Sequence, residues 1–395
     1  MAQPQKARIE SIDLLRGIVI VIMALDHVRD YFHSTTFLFE PTDLSRSNVA
    51  LFFTRWITHY CAPIFVFLAG TSAFLVGERK SKNELSAFLW KRGIWLMLLE
   101  LTLIAFAWNF DPTFNFIRLQ VIWVLGACMV ILGFMVHLPP KLILVLGLVI
   151  VFGHNMLDSI HAEGNTLKDF LWAELHERKR FTISGHTFST GYPILPWLGI
   201  MLLGYSTGQL YARRMDATIR RKYLLWLGIG AIVLFLVIRA INQYGDMAPW
   251  SQQTNLPKTI CSFLNVTKYP PSLLYALMTL GPALIFLALI ERPLNGLGKI
   301  LIPFGRVPLF FYILHIYLIH ALAIVAVVLC GRPWTDMIFT LNINSKDSPW
   351  LKGYGFSLAI TYGVWLGVVL LLYPLCKRYD QYKTNHKEKW WLSYL

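Results

Sequence analysis

The chain has 395 residues, of which 56% are hydrophobic and only 15% are charged. Soluble domains carry about 25% charged residues, so this composition is typical of an integral membrane protein. A net charge of +14 would suggest nucleic acid as the partner of a soluble protein. No nucleic-acid-binding motif accompanies it here, and the charge instead indicates the excess of Lys and Arg on the cytoplasmic side of membrane proteins.

Apolar segments recur along the whole chain at the length that crosses a bilayer, about 20 residues. We predict an all-α, polytopic integral membrane fold of about ten transmembrane helices. The predicted spans are 12–32, 50–76, 86–109, 118–137, 141–157, 193–212, 222–241, 271–290, 307–330 and 354–376. One domain, residues 1–395, is the simplest organisation, because no repeat or low-complexity segment divides the chain.

The loops after even-numbered spans are short and rich in Lys and Arg, whereas the opposite loops are mostly longer and poorer in cations. This asymmetry predicts that both termini are cytoplasmic, as residues 1–11 and 377–395. The long loop at 158–192 then lies outside, and within it we expect a short helix at 167–180 on the membrane surface. The five cysteines have no CxxC spacing and indicate neither a disulfide framework nor a zinc framework.

The first span, "RGIVIVIMALDH" in its central part, carries Arg16 and His27 eleven residues apart. In a helix these side chains differ by about 20° around the axis and about 16 Å along it, so they share one face at two depths. The same stripe includes Asp13, Ile20, Met23, Asp30 and Tyr31. Charged groups inside a membrane are expected to face the protein interior. A snorkelling Arg16 with His27 as a core histidine stays an equal alternative.

Other spans also bury titratable groups. Arg55 and His59 lie in the second span, Glu100 lies in the third, and His315 lies in the ninth. With His27, these histidines and the carboxyl fall at neighbouring depths, and they are the groups that general acid–base chemistry needs. No HxxxH or HxxE pair occurs within a span, so we expect no metal site.

Several strings resemble bacterial relatives of the heparan-alpha-glucosaminide N-acetyltransferase catalytic domain. They are "SIDLLRGIVIVIMALDHVRDYF", "APIFVFLAGTSAFL", "FLWKRGIWL", "LQVIWVLGACM", "LPWLGIMLLGYSTG", "TKYPPSLL" and "FGRVPLFFYILHIYLIH". The resemblance implies an acyltransferase of the bacterial plasma (inner) membrane that moves an acetyl group from cytoplasmic acetyl-CoA to an outer acceptor. The family pattern has asparagine at His27 and a catalytic histidine just after the first helix. His27 and His33 are therefore two candidates for one role, while His315 matches.

For such an enzyme we expect three groups of residues. The general base is His27 or His33, with His315 nearby and with Asp26, Asp30 or Glu100 as possible orienting partners. Asp26 lies about 100° around the helix from His27, so Asp30 or a residue of another helix is the better orienting candidate. The CoA phosphates would meet the cytoplasmic cations Arg16, Lys91, Arg92 and Arg306, because arginine forks suit phosphate. The acceptor would meet His59, Arg55, Gln120, Lys268 and Tyr269.

Two other functions stay open at the level of sequence. A transporter or flippase for a small polar or glycan-linked substrate would also need interior charges and interrupted helices. A non-catalytic scaffold fits the composition but leaves the buried charges unexplained. The expected partners are the lipid bilayer and a sugar or glycan acceptor, with no nucleic acid and with a homodimer as one option. The sequence leaves the acceptor and the acyl chain open.

Overall fold

The computed structural model describes residues 9–212, 215–290, 296–340 and 351–393. Residues 1–8 of the predicted cytoplasmic N-terminus and 394–395 of the tail lie outside them. The described chain is mostly helical. Its α-helices, numbered α1 to α15 in chain order, are Glu10–Phe32, Val49–Thr58, Cys61–Gly77, Lys82–Leu99, Ala105–Asn109, Val121–Met135, Pro140–Gly153, Leu167–His176, Ile194–Thr207, Ala217–Ile241, Leu256–Leu264, Leu273–Leu289, Gly296–Arg306, Pro308–Leu329 and Leu358–Asn385.

Each of the ten predicted spans overlaps at least one of these helices. Within the described residues, five helical segments are long and apolar enough to cross a membrane. They are Val49–Gly77, Pro140–Leu157, Ala217–Ile241, Pro308–Leu329 and Leu358–Asn385. The protein is thus a helical membrane protein, while the number of ten spans and the cytoplasmic termini stay predictions.

Local sequence signals explain where several helices begin. Ser81 and Glu84 form a capping box at the start of α4, in which each side chain bonds the backbone N–H of the other residue. Pro308 takes the first position of α14, where its missing N–H costs nothing. The Ser272 hydroxyl caps α12 by accepting a hydrogen bond from the backbone N–H of Tyr275.

The described part of the chain also contains a small sheet of three strands, which the all-α prediction did not include. The strands are β1 at Phe116–Leu119, β2 at Arg180–Ile183 and β3 at His186–Thr190. The central strand β3 runs parallel to β1 and antiparallel to β2. Ser184 and Gly185 join β2 to β3 with positive φ at both residues, as a tight hairpin turn requires. The predicted surface helix at 167–180 therefore ends early, at His176, and the chain turns into strand.

Helix α1 lies at the centre of the fold, against α3, α13, α14 and α15. Its contact with α13 is a backbone contact. A Cβ atom added to Gly17 would lie 2.2 Å from the carbonyl oxygen of Leu301, and one added to Gly305 would lie 1.8 Å from that of Asp13. Small residues at such crossings let membrane helices approach closely. This crossing places Arg306 of α13 beside the first turns of α1.

Candidate functional site

A cavity of about 390 Å³ lies around the C-terminal half of α1. We call it the polar cavity, because charged and hydroxyl-bearing side chains form much of its wall. The residues predicted to meet the acceptor all line it, and so do two of the predicted catalytic residues: Arg55, His59, Gln120, Lys268, Tyr269, His27 and Asp30. The fold thus brings together groups from α1, α2, the segment before α6 and the loop before α12.

Buried ion pairs form one wall of the polar cavity. Arg29 contacts Asp26 at 3.0 Å and Asp30 at 2.5 Å. The other oxygen of Asp26 bonds the guanidinium of Arg55 on α2. Asp26 lies about 100° around the helix from His27. It lines the cavity as well, because the cavity extends around α1, and it forms its ion pairs with Arg29 and Arg55.

Basic groups outnumber acidic ones in the described lining of the polar cavity. The five basic side chains are Arg29, Arg55, Arg118, Arg178 and Lys268, and the three acidic ones are Asp26, Asp30 and Glu40. Arg118 lies 4.9 Å from the ring of Phe116, and among the described residues its buried Nη2 has no hydrogen-bond partner. Arg178 and Lys268 both lie over the ring of Tyr269. The wall therefore favours a ligand that carries negative charge.

A second cavity, of about 400 Å³, lies at the other end of α1. We call it the apolar cavity, since most of its wall is aliphatic or aromatic. Its basic residues are Arg16, Arg92, Arg306 and Lys383. Arg16 donates hydrogen bonds to Ser72 Oγ at 3.0 Å and to the carbonyl of Gly305 at 3.2 Å.

Arg306 is also held in place, by Asp13 at 3.3 Å and by Asp380 at 3.4 Å. These two carboxylates hold the guanidinium of Arg306 at the wall of the apolar cavity. The three predicted arginines Arg16, Arg92 and Arg306 thus meet at one cavity. The fourth predicted cation, Lys91, is exposed and does not line it.

The two cavities share a thin partition in the described structure. Four side chains line both of them, namely Met23, Phe65, Val121 and Tyr312. Met23 belongs to the stripe of α1 that also carries Arg16 and His27. One face of a single helix therefore runs from the apolar cavity, past the partition, into the polar cavity.

His27 lies beside this partition, on the side of the polar cavity, and it bonds a second histidine. Its Nδ1 lies 2.7 Å from Nε2 of His315 on α14. The ring centroids are 4.9 Å apart and the ring planes differ by 15°, so the imidazoles are nearly coplanar and meet edge to edge. Trp108 packs its ring against His27 at 4.8 Å in an edge-on arrangement. The ring of His27 is thus held from two sides.

The hydrogen-bond network assigns the tautomers of this histidine pair (His27 and His315). Nδ1 of His315 lies 2.9 Å from the carbonyl oxygen of Phe311, which accepts only. Nδ1 of His315 therefore carries the proton, and its Nε2 accepts from Nδ1–H of His27. In the neutral pair, Nε2 of His27 is left with a free electron pair, which is the form that a general base needs.

The structure places two other predicted catalytic residues outside both cavity walls. His33 caps the end of α1, where its Nδ1 accepts a hydrogen bond from the backbone N–H of Thr35. Burial and the nearby Arg29 guanidinium lower the pKa of His33. Glu100 begins a π-helical turn between α4 and α5, and its Oε2 accepts from the backbone N–H of Trp123 at the start of α6. Asp30 lines the polar cavity but bonds Arg29, not His27.

Sequence reasoning missed several residues of the two walls. Tyr312 precedes His315 by one helical turn, so its helical spacing is a signal that could have found it. Arg178 belongs to "ERKR", a cation-rich string in the predicted outer loop 158–192, and this string is a signal that could have found it. Arg118 and Trp108 carry no such signal, because tertiary folding alone brings β1 and α5 to α1.

The family model for "Heparan-alpha-glucosaminide N-acetyltransferase, catalytic" matches residues 8–241, more than half of the chain. The chain belongs to this family. Membership indicates a membrane acetyltransferase, and it bears out the resemblance noted from the sequence motifs. The comparison with curated proteins gives no match.

The family match covers α1 to α10, which include His27 and most of the partition. The site also draws on residues beyond position 241. Lys268 and Tyr269 line the polar cavity, Arg306 lines the apolar cavity, and His315 completes the histidine pair. In this member of the family the candidate site is therefore built from both the matched and the following part of the chain.

Proposed function

We propose that the protein transfers an acetyl group from acetyl-CoA to a hydroxyl or amine of a glycan on the other side of the membrane. The observation that carries this proposal is the arrangement of the two cavities. They lie at opposite ends of α1 and meet at Met23, Phe65, Val121 and Tyr312, with His27 beside the meeting point. A donor and an acceptor from opposite sides would meet there.

The apolar cavity suits acetyl-CoA. The pantetheine arm is long and uncharged, and the wall formed by residues such as Ile20, Leu96 and Leu125 would cover it. The phosphates carry the negative charge of the donor, and Arg92 and Arg306 line the same cavity. Arginine guanidinium groups bind phosphate oxygens in a paired geometry. The acetyl thioester would then reach the partition.

The polar cavity suits a sugar. It offers Gln120, Lys268 and Tyr269 as hydrogen-bonding groups, and aromatic rings line it as well. The excess of basic over acidic groups supports an acceptor that bears a carboxylate, sulfate or phosphate near the reacting hydroxyl or amine. Arg118 and Arg178 are the residues that we propose for this anionic group.

In the proposed reaction, Nε2 of His27 takes the proton of the acceptor hydroxyl or amine. The acceptor oxygen or nitrogen attacks the thioester carbonyl carbon, and the carbon–sulfur bond breaks. Protonated His27 then returns its proton to the CoA sulfur, so that His27 ends as it began. General-base catalysis of this kind contributes about 10²- to 10⁴-fold. His315 serves as a positioning residue, because it holds Nδ1–H of His27 and leaves Nε2 open.

The proposal makes Glu100 and His33 structural residues. A carboxylate at the first N–H groups of a helix is favourable there, since the helix N-terminus is the positive end of its dipole. Glu100 holds that place for α6, the helix that brings Val121 to the partition. His33 is bonded within the turn that follows α1.

The experiment is acetyl transfer by purified protein in proteoliposomes. Acetyl-CoA labelled in the acetyl group is supplied on one side, and glucosamine or an acidic amino-sugar oligosaccharide on the other. The proposal expects labelled acceptor and stoichiometric release of CoA thiol. Absence of CoA binding, or thiol release that does not depend on any acceptor, would contradict it.

A transporter is the second candidate, and the thin partition is the observation that favours it. Two cavities at opposite ends of one helix, separated by a few side chains, would also suit a path with alternating access. A transporter moves the glycan intact and does not need acetyl-CoA. Uptake of unlabelled sugar into proteoliposomes in the absence of acetyl-CoA would therefore favour transport over transfer.

A further inference from the structure

A cluster of three potential metal ligands lies apart from both cavities. His154 follows α7 directly, Asp158 comes one helical turn later, and His176 is the last residue of α8. One ligand atom from each lies within 4.8 Å of the other two. Nε2 of His176 and Oδ1 of Asp158 are 3.2 Å apart. None of the three side chains lines the polar or the apolar cavity.

Both imidazoles of this cluster are buried with a ring nitrogen left over. His154 is 4% exposed and His176 is 2% exposed. Among the described residues, Nδ1 of neither histidine has a hydrogen-bond partner. Buried polar atoms without a partner are uncommon in native structures, because burial removes their hydrogen bonds to water and no protein group replaces them. Two buried imidazoles that each keep an unpaired ring nitrogen lie together with one carboxylate in this cluster, and this combination indicates a missing ligand that accepts electron pairs.

The carboxylate of the cluster is oriented by a neighbour. Asn155 donates from Nδ2 to Oδ2 of Asp158 at 2.8 Å, and this bond leaves Oδ1 directed at His176. The side-chain oxygen of Asn155 in turn accepts from the backbone N–H of Leu273, at the start of α12. Metal-binding carboxylates are commonly fixed by a second layer of hydrogen bonds of this kind.

We propose that His154, Asp158 and His176 bind a zinc ion. Two imidazoles and one carboxylate form a ligand set that zinc accepts, with water or another group in the fourth position. Soft thiolates are not needed for this set, and an oxygen-preferring ion such as Mg²⁺ would not select two histidines. This site lies outside the two cavities, and zinc binding there does not depend on the acetyl transfer proposed above.

The zinc ion would fasten α8 to the end of α7. The segment 154–176 joins the three ligands, so binding closes it into a loop. Glu174, two residues before His176, bonds the indole N–H of Trp123 on α6, and Arg178, two residues after it, lines the polar cavity. The metal would thereby hold in place the segment that carries Arg178 into the polar cavity.

The test measures metal in the full-length protein purified without a polyhistidine tag. Elemental analysis after purification is expected to give about one zinc ion per chain. Titration of chelator-treated protein with zinc against a chromophoric competitor gives the affinity. The His154→Gln, Asp158→Asn and His176→Gln variants are each expected to bind zinc at least about 100-fold more weakly. His161→Gln is the matched control, because His161 lies in the same segment and its side chain is 64% exposed.

Two results would overturn the proposal. One is that the parent binds zinc no more tightly than the double variant of His154 and His176. The other is that His161→Gln loses zinc as the three ligand variants do. If the histidine variants fail to fold, Asp158→Asn, which keeps the side-chain shape, is loaded with Co²⁺. The parent is expected to show the intense visible absorption of tetrahedral Co²⁺ and Asp158→Asn to lose most of it; equal spectra would contradict the site.

Discussion

Nδ1 of His27 and Nε2 of His315 lie 2.7 Å apart and join α1 to α14 in the interior of the protein. Because the Phe311 carbonyl fixes the proton of His315, the bond also fixes which nitrogen of His27 is left basic. Two histidines that are 288 positions apart in sequence thus act as one unit in the proposed reaction.

Replacing His315 tests this unit. For His315→Ala we expect acetyl transfer to fall about 10- to 100-fold, because His27 loses the acceptor that orients it but keeps its own ring. His315→Gln should retain more activity, since its side-chain oxygen can accept the Nδ1–H bond of His27. The measurement is the pH dependence of kcat/KM. His315→Ala should shift the pH at which kcat/KM falls on the acidic side of the profile. A decrease of kcat/KM by the same factor at every pH would mean that His315 is only structural.

The donor cavity is tested by two neighbouring cations on α4. Arg92 lines the apolar cavity, but Lys91 is exposed and does not. We expect Arg92→Gln to raise KM for acetyl-CoA about 10-fold, the effect of removing one hydrogen bond to a charged group. Lys91→Gln should leave KM within about twofold. Equal effects of the two substitutions would show that the donor is attracted by general surface charge and does not use this cavity.

The acceptor cavity is tested through Arg118. Its guanidinium faces the polar cavity, and among the described residues its buried Nη2 has no partner. For an acceptor with a carboxylate or sulfate group, Arg118→Gln should raise KM about 10-fold or more, while a neutral amino sugar should be affected less. Arg180→Gln is the control, because Arg180 is exposed on β2 and does not line the cavity. The same rise in KM for both acceptors would contradict an anionic subsite.

The crossing of α1 and α13 is tested by adding a methyl group. In Gly305→Ala the new Cβ would lie 1.8 Å from the carbonyl oxygen of Asp13, so the two helices must separate. Overpacking of this kind costs about 1–3 kcal/mol in the free energy of unfolding. Gly363→Ala on α15 is the control, since its Cβ would meet nothing within 4 Å. Thermal unfolding in detergent should show a lower Tm for Gly305→Ala alone; an unchanged Tm would rule out the close crossing.

The sequence predicted the stripe on α1 well, because a helix repeats with known geometry. Spacing placed seven residues on one face. Arg16, Ile20, Met23, His27 and Asp30 each line at least one of the two cavities, whereas Asp13 and Tyr31 line neither. The orienting partner of His27 was expected to be Asp30, Glu100 or a residue of another helix, and it is His315 of α14. No periodicity within α1 contains that information, because it depends on how distant helices pack.

The small sheet was not predicted from the sequence, for a different reason. The segment "RFTISGHTFST" alternates polar and apolar residues around Ser184 and Gly185, which is the pattern of a hairpin. The strand β1, which pairs with β3, lies about 70 residues earlier (Phe116 pairs with Thr187), and parallel pairing at that distance leaves no local trace in the sequence.

The most direct measurement compares His27→Gln with His33→Gln in the proteoliposome assay. Both substitutions remove an imidazole near the end of α1, but only His27 lines the polar cavity and bonds His315. We predict that His27→Gln lowers the rate of acetyl transfer by about 10²- to 10⁴-fold with unchanged acetyl-CoA binding, while His33→Gln stays within about threefold of the parent. Full activity of His27→Gln, or loss of activity in His33→Gln alone, would contradict the account.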